Sequence, residues 1–276
     1  MKKILLLGLS LAMACSTDKD YLVTIETQYG NMYAVLYDET PIHKENFIQL
    51  ANEGRFDSTE FHRIIEDFMI QGGDVFEKEG LPQEEWPTLP PEFNPDLIHE
   101  KGSIAAARQG DNLNPEKRSS GCQFYIVEGR VYDREALVTD TRKLQETFSR
   151  YLQLERNVAL REIYRSLYEE KAFDSINSLM LSKKLELEKF FNLNLELGKR
   201  ENQIKAYTSV GGTPHLDDTY TVFGRVIKGL DVMEKIADLE TDHSDKPLQA
   251  IYMNVDVDLM KKKKITEEYG YQYPEK

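Results

Sequence analysis

Residues 61–74 have the sequence FHRIIEDFMIQGGD, a dense run of apolar and aromatic side chains that predicts two short strands joined by a turn. Side chains two positions apart share a face of an extended chain, so Arg63 lies beside Ile65, and Met69 beside Gln71. A strand–turn–strand would therefore bring Arg63 close to Phe68, Met69 and Gln71. A permanent cation, an amide and large apolar groups suit the binding of an apolar ring beside a polar carbonyl, whereas hydrolysis would need a base or a metal.

The composition of the chain excludes several other classes of protein. The 276 residues include 48 acidic and 35 basic side chains, a net charge of −13, which argues against binding to nucleic acid. Two cysteines exclude a disulfide scaffold or a cysteine-rich zinc site. The five histidines lack HExxH spacing, and no phosphate-binding loop occurs. We therefore expect no metal site.

The first fifteen residues predict an export signal. A basic start, Met1–Lys3, precedes an apolar run, Ile4–Ala14, that is shorter than the ~20 residues a membrane span needs. Ala12-Met13-Ala14-Cys15 resembles a bacterial lipobox with its leucine displaced to Leu11. We expect an acylated Cys15, a tether at 16–20, and an exported, membrane-anchored lipoprotein facing the periplasm or cell surface. An ordinary signal peptide is the alternative.

Short strands dominate both flanks of the remaining chain. Short apolar runs at 22–25, 32–37, 103–107, 123–127 and 220–224 and alternating apolar residues at 251–257 predict strands, and 40–54 and 231–239 predict amphipathic helices. This pattern fits a mainly β fold, an antiparallel barrel closed by two helices. Residues 259–276, which contain four consecutive lysines, are predicted to form a solvated tail.

The segment 129–207 has a different character. Residues 130–197 contain no glycine and no proline, and apolar residues recur there at helical spacing on either side of Ala172–Ser175. We predict an inserted pair of long helices that form an antiparallel hairpin. The segment carries 15 basic and 13 acidic residues, so complementary charge could hold it against the acidic barrel.

Three motifs in order resemble the cyclophilin-type peptidyl-prolyl cis-trans isomerases. The first is residues 61–74, the second combines 102–108 with 120–126, and the third combines 212–217 with 220–226. The resemblance covers 22–128 and 208–258, and we place the isomerase domain at 21–128 and 208–258. It implies a closed eight-stranded antiparallel barrel capped by two helices, which acts on proline-containing peptides and unfolded protein clients without a cofactor.

The resemblance also assigns roles to particular side chains. Arg63 matches the catalytic arginine, which acts together with Phe68 and Gln71. The remaining matches are substrate-binding positions: Met69, Ala107, Arg108, Gln123, Tyr125, His215, Leu216 and Tyr220. His215 replaces the tryptophan of drug-sensitive members, so weak cyclosporin binding is expected. Tyr125 replaces a phenylalanine, and its hydroxyl needs a partner.

The sequence is compatible with two functions. The first is an isomerase that speeds proline-limited folding of exported proteins, with Arg63 donating to the prolyl nitrogen. The second is a non-catalytic chaperone or assembly partner that uses the same barrel and the helical insert. The insert could shield or capture clients beside the site, or it could be a decoration that packs on itself or mediates self-association. Cys122 is interpreted as a small buried residue, and His62 as a residue that points into the core.

Overall fold

Eight antiparallel strands close into a barrel in the computed structural model, which describes residues 18–274. The strands in chain order are β1 (Lys19–Thr27), β2 (Gly30–Leu36), β3 (Thr59–Ile65), β4 (Met69–Gly72), β5 (Thr88–Leu89), β6 (Ser103–Ala106), β7 (Ser119–Ser120), β8 (Phe124–Val127), β9 (Val222–Lys228) and β10 (Tyr252–Lys261). The barrel order is β1-β10-β3-β4-β8-β6-β9-β2, and β5 pairs with β7 in a separate two-stranded sheet. The predicted closed barrel is confirmed.

Ten helices accompany the strands in the described part of the chain. They are α1 (Pro41–Asn52), α2 (Val75–Lys78), α3 (Arg134–Val138), α4 (Thr141–Leu152), α5 (Val158–Glu169), α6 (Phe173–Ser182), α7 (Lys184–Phe191), α8 (Glu201–Tyr207), α9 (Leu230–Ala237) and α10 (Lys262–Tyr269). Helices α1 and α9 supply apolar side chains to the barrel core, as the two predicted capping helices should. Phe47 of α1 packs its ring against Phe56 and Phe124 inside the barrel.

The pairing of β3, β4 and β8 places the candidate site on the outside of the barrel. Arg63 lies opposite Gln71, and Gln71 lies opposite Tyr125 on the next strand. Ile64 and Ile70 are buried in the barrel core instead. Because directly opposed residues share a face of a sheet, Arg63, Gln71 and Tyr125 line one outer surface.

The insert is not the predicted pair of long helices. Residues 129–207 form six short helices, α3 to α8, and the break at 172 is the one that the sequence located. The two predicted helices are each divided, by a short 3-10 turn at Glu155–Asn157 and by Lys183 between α6 and α7. A separate apolar cluster, which includes Leu144, Phe148 and Leu187, forms its core.

The insert leaves and rejoins the barrel at one place. Asp140 N–H donates to Leu195 O at 2.8 Å, and Leu197 N–H donates to Val138 O at 2.7 Å, so the two chain ends of α4 to α7 run side by side. Helix α8 packs against the barrel side through an apolar cluster of Ile98, Leu137, Ile204 and Tyr207. Arg200–Asp218, at 3.8 Å, is the one ion pair joining 129–207 to the barrel among the described residues. The expected attachment by complementary charge is therefore not supported.

Both predicted ends of the barrel domain need correction. Lys19 and Asp20, placed in a tether, belong to β1, where Lys44 Nζ donates to buried Asp20 at 2.9 Å. The predicted tail begins inside β10 and continues as α10. Its Ile265 is fully buried against Leu22 and Val35, because one apolar residue among the lysines faces the barrel.

The export signal and Cys15 lie outside the described residues. Within residues 18–274, none of the helices is both long and apolar enough to span a bilayer.

Candidate active site

A groove of about 610 Å³ runs along the outer surface of β4, β8 and the segments beside them. Ten of the eleven predicted catalytic and substrate-binding residues line it: Arg63, Phe68, Met69, Gln71, Ala107, Arg108, Gln123, Tyr125, Leu216 and Tyr220. The groove joins an apolar floor to a row of cationic and amide groups. It can hold an apolar ring and hydrogen-bond the peptide groups on either side of it.

Arg63 lies at the polar edge of the groove, held by the loop that precedes β10. Its Nε donates to Asp245 Oδ2 at 3.3 Å, and both side chains are about four-tenths exposed. The loop is fixed to β3 because Ile64 N–H donates to Asp245 O at 2.8 Å. Only Nε appears in the hydrogen bonds of Arg63 within the described chain, so its two terminal amino groups can serve a ligand.

A chain of amides and one carboxylate continues from Gln71. Gln71 Nε2 donates to Gln123 Oε1 at 3.1 Å, and Gln123 Nε2 donates to Asp74 Oδ2 at 2.7 Å. Asp74 also caps α2, where Oδ1 accepts from Glu77 N–H. Burial raises the pKa of Asp74 to about 6. This chain fixes the direction of both amides and leaves the carbonyl oxygen of Gln71 to the groove.

The apolar floor comes from residues on three segments that pack together outside the barrel. Met69, Tyr125 and Leu216 are buried in one cluster, with Phe68 at its edge. The hydroxyl of Tyr125 donates to His99 Nε2 at 3.1 Å, which is the partner that the sequence required. The pKa of Tyr125 is raised well above its usual value because the side chain is fully desolvated.

Below the floor, a buried network joins the groove to the insert. Asp217 accepts from His99 Nδ1 at 3.0 Å, from Gln203 Nε2 at 2.9 Å and from the Tyr207 hydroxyl at 2.7 Å. Burial alone would raise the pKa of Asp217, but the hydrogen bonds from His99 and Tyr207 hold it below its usual value. Since Gln203 and Tyr207 belong to α8, this helix fixes the segment that carries Leu216.

Arg108, which stacks on the ring of Tyr220, forms one wall of the groove. The Arg108 guanidinium lies 4.3 Å from the centre of the Tyr220 ring, and its Nε donates to Thr219 O at 2.9 Å. Nη1 pairs with Asp111 Oδ1 at 2.7 Å. The aromatic ring and the two acceptors hold this arginine in one orientation.

Comparison with known proteins agrees with this geometry. The family model for the cyclophilin type peptidyl-prolyl cis-trans isomerases matches residues 22–137 and 195–257. The chain belongs to that family. Residues 138–194 are unmatched, so this cyclophilin carries α4 to α7 in addition to the family fold, whereas α8 lies within the matched part.

Curated relatives carry the same family name. A "Putative peptidyl-prolyl cis-trans isomerase" of Staphylococcus saprophyticus is 28% identical over 230 residues, 82% of this chain and 86% of the relative. A "Putative bifunctional phosphatase/peptidyl-prolyl cis-trans isomerase" of Streptococcus pyogenes is 30% identical over 233 residues, 83% of this chain. This cyclophilin spans only 37% of that bifunctional relative.

Solved structures share the fold. A crystal structure of a Cryptosporidium parvum cyclophilin type peptidyl-prolyl cis-trans isomerase has a TM-score of 0.50 at 18% identity, covering 88% of this chain and 98% of that one. A second structure of that protein, in the presence of the dipeptide Ala-Pro, has the same TM-score and covers 87% of this chain.

Two histidines lie elsewhere than expected in this cyclophilin. His215 is at the border of the groove and not among its lining residues, and its ring stacks on Phe68 with centres 5.5 Å apart. His62 is half-buried, and its Nε2 lies 3.5 Å from Gln71 Nε2. The prediction that His62 points into the core is wrong, because the irregular pairing between Phe61 and Arg63 turns it outward.

Sequence reasoning missed a second wall of the groove. Trp86, Thr88 and Arg118 line it, and none of them lies in a motif or in a predicted strand. The short β5–β7 sheet brings these residues there, and the chain's single tryptophan was the available signal. Asp245 was missed as well, since one acidic residue in so acidic a chain carries no signal.

Cys122 is buried, as predicted. Burial raises the pKa of its thiol, which disfavours the reactive thiolate. Among residues 18–274, no cluster of three or more histidine, cysteine or acidic side chains could hold a metal ion.

Proposed function

We propose that this cyclophilin accelerates cis–trans isomerisation of X-Pro bonds in exported or unfolded proteins. The observation that carries the proposal is the single groove in which Arg63 and Gln71 face an apolar floor of Phe68, Met69 and Leu216. That combination fits a proline ring and the peptide bond that precedes it. The presence of Ala-Pro with a C. parvum neighbour makes short X-Pro peptides the natural first substrate.

The proposed mechanism is non-covalent. Rotation about a peptide bond faces a barrier of about 18–20 kcal/mol because amide resonance must be broken. As the bond twists, the prolyl nitrogen regains its lone pair, and a donor placed there favours the twisted state. Arg63 supplies that donor, and Asp245 orients its guanidinium so that little reorganisation is needed during the reaction. The apolar floor holds the ring while Gln71 and Gln123 hold the neighbouring backbone.

Replacing Arg63 tests the proposal directly. In a protease-coupled assay on an X-Pro tetrapeptide, Arg63→Ala should lower kcat/KM by about 10²–10³-fold, the usual effect of removing a transition-state donor. Arg55→Ala is the matched control, because Arg55 pairs with Glu79 away from the groove. Absence of wild-type activity on every X-Pro peptide would refute the enzyme proposal.

Non-catalytic client binding is the second candidate function. The insert exposes several large apolar side chains, including Ile163, Phe173 and Leu185, which is a property of surfaces that hold unfolded chains. If Arg63→Ala suppressed aggregation of an unfolded protein as well as wild type while lacking isomerase activity, this function would operate independently of catalysis.

We also propose that the chain acts outside the cytoplasm, anchored through an acylated Cys15. The proposal is supported by the basic, apolar and lipobox-like sequence of residues 1–15. In cells fed radiolabelled palmitate, wild-type protein should incorporate label and appear in the membrane fraction, and Cys15→Ser should do neither. Equal labelling of both proteins would contradict it.

A further inference from the structure

A second cavity, of about 540 Å³, lies between the insert and the barrel next to the candidate active site. Its apolar lining includes Leu144, Met180 and Leu181 from the insert's own core and Pro214 from the barrel. We call this cavity the flank groove. The proposed chemistry does not use it, and apart from Pro214 and His215 of the third motif, much of its lining belongs to the segment that the family model leaves unmatched.

The flank groove meets the active-site groove at one pair of rings. His215 lines the flank groove, and its ring stacks on Phe68, which lines the active-site groove. The ring centres are 5.5 Å apart, a distance that an extended polypeptide covers in about two residues at ~3.3 Å each. A chain bound at the proline site can therefore continue past these rings into the flank groove.

The charge of the flank groove is opposite to that of the whole chain. Arg130, Arg142 and Lys199 line it, and no acidic side chain does among the described residues, although the chain carries a net charge of −13. Arg142 is nine-tenths exposed, and its pairing with Glu146 at 3.2 Å is a solvent-screened pair. Arg130 lies over the Tyr132 ring at 5.2 Å. These cations can receive carboxylates from a ligand.

We propose that the flank groove binds the segment of a client polypeptide that continues from the proline site, and that it selects segments combining apolar and acidic side chains. The proposal rests on the proposed isomerase function and names its preferred substrates. Apolar side chains of the client enter between the insert and Pro214, and carboxylates pair with the three cations. The insert thereby becomes a specificity element of the enzyme.

The experiment compares peptides that share one Ala-Pro core on the full chain. One is a tetrapeptide, and the others are peptides of roughly twelve residues, ~40 Å when extended, whose flanks on both sides alternate Leu with Glu or Leu with Lys. The Leu/Glu peptide should show a kcat/KM about 10-fold above that of the tetrapeptide and of the Leu/Lys peptide. The gain should shrink as salt rises.

Charge reversal provides the matched variants. Arg142→Glu should remove the Leu/Glu gain and leave tetrapeptide turnover unchanged. The control variant is Arg165→Glu. Arg165 is an exposed arginine of α5 that pairs with Glu162 within its own helix, so its replacement should change neither the Leu/Glu gain nor tetrapeptide turnover. Fluorescence anisotropy with the labelled Leu/Glu peptide measures its binding without depending on turnover, and Arg142→Glu should weaken that binding about 10-fold.

The outcomes separate this proposal from the proposed function. Normal tetrapeptide turnover without a Leu/Glu gain, or a gain that survives Arg142→Glu, would refute the flank groove and leave the isomerase proposal standing. Binding of the Leu/Glu peptide that depends on Arg142, in a wild-type chain without turnover on any peptide, would refute the isomerase proposal and support the flank groove as a client site.

Discussion

Tyr125 shows how a polar group is accommodated in an apolar pocket floor. Its hydroxyl reaches His99 Nε2, and the opposite ring nitrogen of His99 donates to Asp217. Because Asp217 only accepts hydrogen bonds, His99 carries its proton on Nδ1 and accepts from Tyr125. Every polar atom in this buried row has a partner, so the ring of Tyr125 is held in one position.

We expect Tyr125→Phe to destabilise the protein with little effect on isomerisation. The ring that forms the floor is retained, but His99 Nε2, in a fully buried side chain, loses its partner at a cost of about 1–2 kcal/mol. Urea unfolding measures the free-energy change, with Tyr168→Phe at an exposed tyrosine as control. An unchanged free energy of unfolding for Tyr125→Phe would contradict the role given to this hydrogen bond.

Asp74 predicts a pH dependence of the active-site groove. Its carboxylate orients Gln123, and its pKa is raised to about 6, so the charge on this acceptor is lost as pH falls through that value. We expect kcat/KM on an X-Pro peptide to fall about 2–5-fold below pH 6, since a charged acceptor binds more strongly than a neutral one. Asp74→Asn should remove the inflection, and Asp231→Asn on the surface of α9 should retain it.

The same group has a calculable effect on stability. A folded pKa above the unfolded value of about 3.8 means that the folded state binds more protons between pH 4 and 6. The contribution of Asp74 to the free energy of unfolding therefore falls as pH rises through this window. Asp74→Asn should flatten that part of the curve, and an unchanged slope would contradict the raised pKa.

At the scale of elements, the barrel strands were predictable and the insert helices were not. Most barrel strands are short apolar runs bounded by turn residues, and in β10 the alternation between core and surface is visible in the sequence. The two breaks that the sequence missed, at Glu155–Asn157 and at Lys183, contain no glycine or proline, and Lys183 keeps a right-handed backbone conformation (φ −97°). With no glycine or proline to mark its breaks, the apolar period predicted longer helices than the chain forms.

The residues of the candidate active site also divide into those that local sequence predicts and those that it does not. Most site residues within the three motifs lie where they were predicted because the motifs fix their strand positions, as Arg63 and Gln71 show, whereas His215 lies only at the border of the groove. Trp86 and Asp245 reach the groove from loops whose path depends on tertiary contacts, such as the bond from Ile64 N–H to Asp245 O. No local pattern encodes such contacts, so the second wall and the partner of Arg63 required the structure.

Helix α1 contacts β1 through one buried cation, Lys44. We expect removal of this side chain to lower the free energy of unfolding. Lys44 Nζ donates to Asp20, Asp38 and Leu36 O at 2.7–3.1 Å. Lys44→Ala would leave Asp20 buried and uncompensated, which should lower the free energy of unfolding by about 3 kcal/mol. Lys235→Ala, which removes an exposed pair on α9, should cost less than ~1 kcal/mol in the same urea titration. Equal losses would contradict this account.

At the scale of the whole molecule, the insert is a unit with its own core and adjacent ends. The hydrogen bonds between Val138–Asp140 and Leu195–Leu197 already close the gap that its removal would leave. We expect replacement of 141–194 by a short Gly-Ser linker to keep tetrapeptide kcat/KM within about two-fold, because α8 and the Asp217 network stay in place. A chain that fails to fold, judged by circular dichroism, would show instead that the barrel depends on the insert.

The paired ends of the insert also bear on how the barrel forms. Strand β9, which closes the barrel between β6 and β2, follows β8 only after about 90 intervening residues. During synthesis the barrel stays open until that length has left the ribosome. If the insert folds first, its hydrogen-bonded ends shorten the flexible loop between β8 and β9 to about half its length. Each halving of a loop lowers the free-energy cost of closing it by ~0.6 kcal/mol. A segment that separates two barrel strands in sequence thus shortens the search by which those strands meet.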